Sequence, residues 1–387
     1  MQIYRLKDNE DVYTVARDFG ISPMKISEDN ELSAHSALPK NRELLIIRPT
    51  RTYNVRSGDT PDSIARRFNV KKEALKRMNP ELRGRERLYS GQLLTVKCEG
   101  GGYGMIGTNG YLYKGCGTER LLRIMPYLGY VTVCSALYKD GSIHSTFASR
   151  DAVSLVLSHG KIPLLRIYLT EMPTECEIKG FVDSATILAR SGGFKGVTLS
   201  SLQGIEKNAE ARCALVLTLR KSLMEADMLL FAEGDAESDC SYIDYANAGI
   251  LTYDKLHKRD IPSFLEGEDA VFRSYAEGAE SSRAFIELSS FAYAGGKYVE
   301  KGEAVRITDR RHGELEQDDE RKITVARYGK GKQREIMYEN LENTKAKLEL
   351  ISELGYMGVS FDIGRVCGSE LMMTATMFDI ISSPIPC

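Results

Sequence analysis

The stretch GGFKGVTLSSLQG, residues 192–204, is a short apolar and β-branched run with glycine on either side. Such a run is typical of a buried strand in a parallel sheet. Successive side chains of a strand point to opposite faces. The two faces would carry Lys195, Val197 and Leu199 on one side and Thr198, Ser200 and Leu202 on the other. The stretch contains no carboxylate.

Seven further runs of the same kind occur between residue 105 and the C-terminus. They are GTNGYLY, YVTVCSALY, IPLLRIYLT, ADMLLFAE, AGILTYD, AFIELSSFAYA and YMGVSFDIG. Amphipathic helical patterns separate most of them, and eight strands alternating with helices over about 280 residues predict an α/β fold, a TIM (β/α)8 barrel. Residues 297–336 interrupt the alternation with charged, hairpin-like sequence, which predicts a small α+β insertion after the seventh strand.

The N-terminal quarter contains an internal repeat, with one copy in residues 1–50 and another in residues 51–97. Each copy begins with a short strand pattern, IYRL or TYNV, followed by a polar turn and two helical patterns. An apolar closing strand ends each copy, so the repeat predicts two small βααβ modules. Residues 98–387 then form the barrel.

Composition limits the function classes. The chain has 387 residues, 42% of them hydrophobic, and a net charge of −2. Residues 51–97 nevertheless contain twelve Lys and Arg against five Asp and Glu, a net charge of +7. This block suits an anionic polymer, for which a cell wall and nucleic acid both qualify, or an evenly solvated face. We expect no membrane span, because no apolar run approaches about 20 residues. We also expect no secretory signal, because the N-terminus is charged within five residues and has no apolar core.

Cofactor and metal motifs are not evident. The GxGxxG at Gly102, Gly104 and Gly107 is not followed by the amphipathic helix that a dinucleotide site requires. The eight cysteines form no CxxC, and the five histidines are scattered. We therefore expect buried free thiols, no metal and no cofactor.

The two repeats resemble LysM, a carbohydrate-binding module, most clearly in YNVRSGDTPDSIARRF, NP and GQLLTV of the second copy. The resemblance implies binding to N-acetylglucosamine-containing glycans such as peptidoglycan through two loops. The loop residues are Gly58, Asp59, Thr60 and Pro61, with Asn79, Pro80, Glu81 and Leu82. The first copy is divergent, since KDNED replaces the Gly-Asp-Thr turn.

Two LysM modules before such a barrel resemble the spore-associated N-acetylglucosaminidases of glycoside hydrolase family 18. The fourth strand of that family carries DxxDxDxE, in which the Glu protonates the glycosidic oxygen and the Asp two residues before it orients the substrate's acetamido group. The corresponding positions are Lys195, Thr198, Ser200 and Leu202. Leu202 cannot donate a proton, and loss of general acid catalysis costs about 10²–10⁴ in rate.

Other residues of the expected barrel mouth leave an alternative open. Tyr253 and Asp254 follow the sixth strand, where the family has an assisting Tyr, and Phe361 replaces a family Trp in a chain that has no Trp. Carboxylates also follow several strands, at the end where barrel enzymes place catalysis. These displaced candidates are Glu171, Glu233, Asp254 and Asp362.

The sequence thus predicts a peptidoglycan-binding protein with a catalytically degenerate family 18-type barrel. It would be associated with the cortex or coat of spores, or cytoplasmic before deposition there. The expected partners are wall glycan and spore-coat proteins, with no nucleic acid and no membrane. Two alternatives remain: an active N-acetylglucosaminidase that uses displaced carboxylates, and a structural spore-coat scaffold.

Overall fold

Two small modules precede a barrel in the computed structural model. It describes residues 1–32, 38–82, 87–236, 241–252, 264–278, 281–288, 291–295, 297–311, 313–329 and 334–381. The first module comprises β1 (Gln2–Arg5), α1 (Val12–Phe19), α2 (Pro23–Asp29) and β2 (Glu43–Ile46), and the second comprises β3 (Pro49–Asn54), α3 (Pro61–Phe68), α4 (Lys72–Met78) and β4 (Leu93–Cys98). In each module the two strands pair antiparallel beside the helices, as the repeat predicts.

The barrel elements follow in alternation. They are β5 (Met105–Leu112), α5 (Thr118–Ile124), β6 (Tyr130–Lys139), β7 (Ser142–Ser145), α6 (Arg150–Ser158), β8 (Ile162–Leu169), α7 (Ile178–Ser191), β9 (Gly196–Ser200), α8 (Leu202–Ile205), α9 (Ala209–Glu225), β10 (Leu229–Asp235), β11 (Ala248–Thr252), α10 (Phe264–Gly278) and β12 (Ala284–Glu287). β7 is an antiparallel hairpin partner of β6.

A small sheet is inserted in the chain between the seventh and the last strand of the barrel. The insertion contains β13 (Phe291–Ala294), β14 (Lys297–Glu300), α11 (Lys301–Arg311), β15 (Glu314–Asp318), β16 (Ile323–Tyr328) and β17 (Arg334–Glu339). Its five strands form one antiparallel sheet. The sheet begins at Phe291, earlier than the expected residue 297, because the apolar run 284–294 divides into a barrel strand and an insertion strand.

The chain returns to the barrel with α12 (Leu341–Glu353), β18 (Gly358–Asp362), α13 (Gly368–Met377) and β19 (Asp379–Ile381). β18 pairs parallel with β5, and β5 pairs parallel with β6, so β5, β6, β8, β9, β10, β11, β12 and β18 close an eight-stranded parallel barrel. The predicted TIM barrel is confirmed. The aromatic rings of Tyr130, Phe231 and Phe285 fill its lower interior, with centroids 5.2–6.0 Å apart.

The second module is fastened to the barrel by close contacts. Arg77 of α4 is buried and donates a hydrogen bond of 2.9 Å to the carbonyl of Pro126. The connecting segment lies tightly on α13: a side chain at Gly100 would place its Cβ 2.6 Å from the backbone oxygen of Thr376. Glycine is required there.

Lys161 makes the stability of the contact between the second module and the barrel depend on pH. It lies before β8, near α4, and burial lowers its pKa from 10.5 to about 8. The unfolded chain therefore binds more protons than the folded chain between these values. Lys161 is therefore expected to contribute a rise of about 1 kcal/mol to the free energy of unfolding from pH 7 to 9. Urea denaturation of the unaltered protein and of Lys161→Met at the two pH values measures this contribution as the difference between them, and the same pH dependence in both would contradict the assignment.

Candidate functional site

The fourth barrel strand, β9, directs two hydroxyl groups into the barrel. Thr198 and Ser200 are buried, at 0% and 2% exposure, and both contact polar side chains of other barrel strands. Val197 and Leu199 belong to the apolar layer between strands and helices. Lys195 is exposed just before the strand, at the end away from the barrel mouth. The interior of this strand therefore presents no carboxylate.

Leu202 is separated from this interior face by a backbone turn. Ser201 has a φ of 73°, in the left-handed region that non-glycine residues rarely adopt. The chain consequently leaves the strand, and Leu202 begins α8 with no exposed surface. It packs in the same apolar cluster as Val197 and Leu199. The position that would carry the acid is thus part of the hydrophobic core.

An ion pair occupies the barrel interior beside Ser200. Arg166 of β8 donates from Nε to Oε1 of Glu233 at 2.6 Å and from Nη2 to Oε2 at 2.7 Å. Nη2 also donates to Oγ of Ser200 at 2.6 Å. Burial disfavours the charged guanidinium, but the carboxylate of Glu233 more than offsets this effect, so the pKa of Arg166 lies well above its ordinary value.

A network of hydrogen bonds between uncharged side chains lies deeper in the barrel. Asn109 of β5 donates from Nδ2 to Oγ of Ser360 at 2.9 Å and accepts at Oδ1 from Thr132 at 2.8 Å. The Thr132 hydroxyl lies 3.4 Å from that of Thr198. All four residues are buried, so these bonds satisfy polar groups that could not reach water.

Three tyrosines surround the ion pair. The guanidinium carbon of Arg166 lies 5.6 Å from the ring centroids of both Tyr111 and Tyr168, within cation–π range. Tyr113 is 40% exposed and its ring lies 6.1 Å from that of Tyr111. The Tyr111 hydroxyl is buried and has no hydrogen-bond partner among the described residues. Burial raises its pKa well above the ordinary value.

The displaced carboxylates have different surroundings. Glu171 is exposed and accepts a hydrogen bond from the Gly141 amide at 3.0 Å. Asp362 ends β18, accepts from the Gly364 amide at 2.8 Å and lies 3.3 Å from Nε of Arg365. Burial raises the pKa of Asp362 above its ordinary value.

Two of the expected mouth residues, Tyr253 and Asp254, lie outside the described residues. Phe361 has only 1% exposure and packs with Val359 in the outer apolar layer. Ser360, the residue before it, contacts the interior Asn109. Phe361 therefore faces away from the barrel interior, because side chains alternate along β18.

Sequence reasoning did not single out Arg166, Tyr111 or Tyr168. The available signal was an arginine inside the otherwise apolar run IPLLRIYLT, with Tyr168 two residues later on the same face of the strand. A charged residue in a buried strand requires a partner. Only the strand order identifies that partner as Glu233.

The first loop of the second module is built on Asp59 and Thr60. The Asp59 carboxylate accepts hydrogen bonds from the Arg56 amide and the Tyr53 hydroxyl, each at 2.8 Å, and these bonds lower its pKa. Thr60 caps α3 in a reciprocal capping box with Ser63. Pro61 is the first helical residue, and Gly58 is exposed at a φ of 86°.

The second loop of this module combines buried and exposed groups. The Asn79 amide nitrogen donates to the Leu75 and Thr95 carbonyls, and its oxygen accepts from the Thr95 amide, each at 2.7 Å. Asn79 thus ties α4 to β4 and is 3% exposed. Pro80, Glu81 and Leu82 form a single 3₁₀ turn, in which Glu81 is exposed and Leu82 is buried.

The divergent first module makes the same bonds with other residues. Glu10 accepts from the Tyr4 hydroxyl and the Lys7 amide, as Asp59 does from its partners. Asp11 caps α1 in a capping box with Thr14. The Asn30 amide bonds to α2 and β2 in the way that Asn79 bonds to α4 and β4.

Within the described ranges, no group of three or more His, Cys, Asp or Glu side chains is arranged to hold a metal ion. No helix in that part of the chain is both long and apolar enough to span a bilayer.

Comparisons with known proteins agree with this architecture. A family model described as LysM domain matches residues 53–97. No curated protein matches the chain. The structure resembles the spore cortex-lytic enzyme SleL of Bacillus cereus, with a TM-score of 0.75 and 19% identity over 98% of this chain and 99% of that one.

Two further structures extend the likeness. SleL of Bacillus megaterium has a TM-score of 0.75 and 18% identity over 99% of both chains. A chitinase from Chromobacterium violaceum has a TM-score of 0.59 and 13% identity over 70% of this chain and 98% of that one. Residues 53–97 are therefore a LysM domain, and the chain has nearly throughout the fold of the two SleL structures, with a barrel that shares its fold with the chitinase.

Proposed function

We propose that this protein binds peptidoglycan through its second module and carries a barrel that does not hydrolyse it, in the cortex or coat of spores. The observation that carries the proposal is the Arg166–Glu233–Ser200 network beside the fourth strand. It lies beside the strand that, by the resemblance, would carry the carboxylates of the motif in a family 18 hydrolase. The LysM match supports glycan binding, and the SleL-like fold supports the association with spores.

The chemistry of glycoside cleavage explains why this barrel would be inactive. The leaving alkoxide must be protonated in the transition state, so a carboxylic acid has to reach the glycosidic oxygen. Leu202 is buried in the apolar layer and has no proton to donate. Both oxygens of Glu233 accept charge-assisted hydrogen bonds from Arg166, an arrangement of an ionised carboxylate rather than of an acid.

Asp362 favours a second candidate function, an active glucosaminidase. It lies at the carboxyl end of β18, and its raised pKa is the property of a general acid. Incubation with cortex muropeptides separates the two functions. We expect no release of N-acetylglucosamine or shorter glycans. Turnover that is lost in Asp362→Asn would establish the second candidate instead.

Wall binding can be tested by exchanging the first loops of the two modules. Replacing Gly58–Asp59–Thr60–Pro61 by Asn-Glu-Asp-Val, the sequence of Asn9–Val12, keeps the turn and the capping box, since both modules make these bonds. We expect this variant to sediment with wall sacculi at least about tenfold more weakly, because the loop resembling glycan-binding LysM is lost. Binding of the unaltered protein should fall as salt rises, since the module is basic.

The reciprocal exchange is the matched control. Replacing Asn9–Val12 by Gly-Asp-Thr-Pro should leave sedimentation unchanged. Equal losses in the two variants, or no loss in either, would contradict binding through the second module. Whole modules are poor targets for deletion, because Leu45 and Ile47 of the first module belong to the apolar core of the barrel.

A further inference from the structure

The turn that precedes the closing strand has opposite surroundings in the two modules. In the second module Gly91 donates to the Val55 carbonyl, and in the first module Asn41 donates to the Leu6 carbonyl, so the two turns are equivalent. Gly91 and Leu93 are exposed. The first-module turn, residues 39–43, is instead covered by the insertion.

Polar contacts join this turn to the insertion. The Asn41 side chain donates to the Leu315 carbonyl at 2.8 Å, and the Gln317 side chain donates to the Asn41 carbonyl at 2.9 Å. Arg42 forms an ion pair with Asp309 of α11 at 3.0 Å, with side-chain exposures of 12% and 13%. These contacts come from both a strand and the helix of the insertion, so they fix its orientation.

Glu43 extends the contact to the barrel helix that follows the insertion. Its Oε2 accepts from the Leu341 amide at 2.7 Å, and its Oε1 lies 3.2 Å from Nε of Arg5. The carboxylate is thus placed at the N-terminus of α12, where the free amides favour negative charge. The equivalent residue of the second module is the exposed Leu93.

The second loop of the first module also contacts the barrel. Glu31, which follows the structural Asn30, lies 2.6 Å from Nη1 of Arg120. A side chain at Gly368 would place its Cβ 2.5 Å from Cγ of Glu31, so this glycine leaves room for the loop. Glu31, in the position that corresponds to the second expected glycan-binding loop of the second module, is therefore held against the chain's own barrel.

We infer that the ligand of the first module is the insertion and barrel of the same chain, not a glycan. The module positions the insertion beside the barrel mouth, where Arg365 joins the two: its Nε lies 3.2 Å from Glu300 of the insertion and 3.3 Å from Asp362. This inference goes beyond the proposed function and does not depend on wall binding.

Hydrogen exchange of the full-length protein tests the inference. In Arg42→Gln, the amides of residues 314–328 should exchange at least several-fold faster, because Asp309 loses its partner and the sheet its anchor. Asn41→Ala should give a smaller increase in the exchange rate of these amides. It is the variant to measure if Arg42→Gln fails to fold. The charge-exchanged pair Arg42→Asp with Asp309→Arg should restore protection. Gln92→Ala, at the equivalent position of the second module, is the control and should change nothing in this region.

Unchanged exchange in both first-module variants would overturn the inference. A second measurement uses chitin oligosaccharides as the probe. Protection at residues 56–60 with none at residues 8–11 and 30–32 would support it, and protection of the first module would overturn it. Absence of protection in both modules would count against the proposed glycan binding, while the exchange rates in Arg42→Gln still decide the role of the first module.

Discussion

Replacing Glu233 by Gln is expected to lower the free energy of unfolding by about 3–5 kcal/mol, because it leaves the guanidinium of Arg166 buried without a countercharge. The side chains of the pair are only 16% and 8% exposed, so water cannot replace the lost carboxylate. Ser200 remains as an acceptor but carries no charge. Urea or guanidinium denaturation at pH 7 measures the effect as a shift of the midpoint.

Two variants serve as controls for this prediction. Arg273 and Glu353 form a two-bonded pair of the same kind at 2.7 and 3.0 Å, but with side chains 40% and 59% exposed. Glu353→Gln should therefore cost no more than about 1 kcal/mol. Arg166→Met combined with Glu233→Leu removes both charges and should be less destabilising than Glu233→Gln alone. Equal midpoints for Glu233→Gln and the unaltered protein would show that the pair is not buried in solution.

Introducing the missing acid by Leu202→Glu should not produce glycosidase activity. The side chain at this position points into the apolar layer, because the backbone turns at Ser201. A carboxylate there would be buried without a partner, so the variant should also unfold at markedly lower denaturant concentration. Thr198 and Ser200 would still provide no charge to orient an acetamido group. Release of reducing sugar from cortex muropeptides, with an active glucosaminidase as positive control, measures the outcome.

A conservative substitution distinguishes the two effects. Leu202→Gln has nearly the shape of Leu202→Glu without its charge, and should be inactive and less destabilised. Activity in Leu202→Glu but not in Leu202→Gln would mean that the side chain reaches the substrate. That result would restore the family 18 mechanism to this barrel.

The barrel was predictable because each strand is recognisable by itself. Runs such as IPLLRIYLT and FKGVTLSSL are apolar, β-branched and bounded by turn residues, and each became a strand. The direction of Leu202 was not predictable, because it depends on one left-handed serine. The Arg166–Glu233 pair was not predictable either, since it requires the register in which Thr198 lies opposite both Arg166 and Phe231.

The first module illustrates a different limit. Its sequence lacks the Gly-Asp-Thr residues of the turn and therefore indicated a divergent copy with weakened glycan binding. The turn is nevertheless preserved, because Glu10 and Asp11 replace the bonding groups of Asp59 and Thr60. Local chemistry could have predicted this equivalence. The docking of residues 39–43 on the insertion could not be predicted, since its partners lie more than 260 residues away.

The close contact of Gly100 with α13 limits the orientations that the barrel can adopt once the second module is bound to a wall. A flexible linker lets a tethered domain search a volume that depends on the length of the linker. Here the connecting segment contacts α13 at Gly100, and Arg77 fastens the module directly to the barrel. The barrel would then face the same region of glycan in one fixed orientation and would not search the surrounding wall.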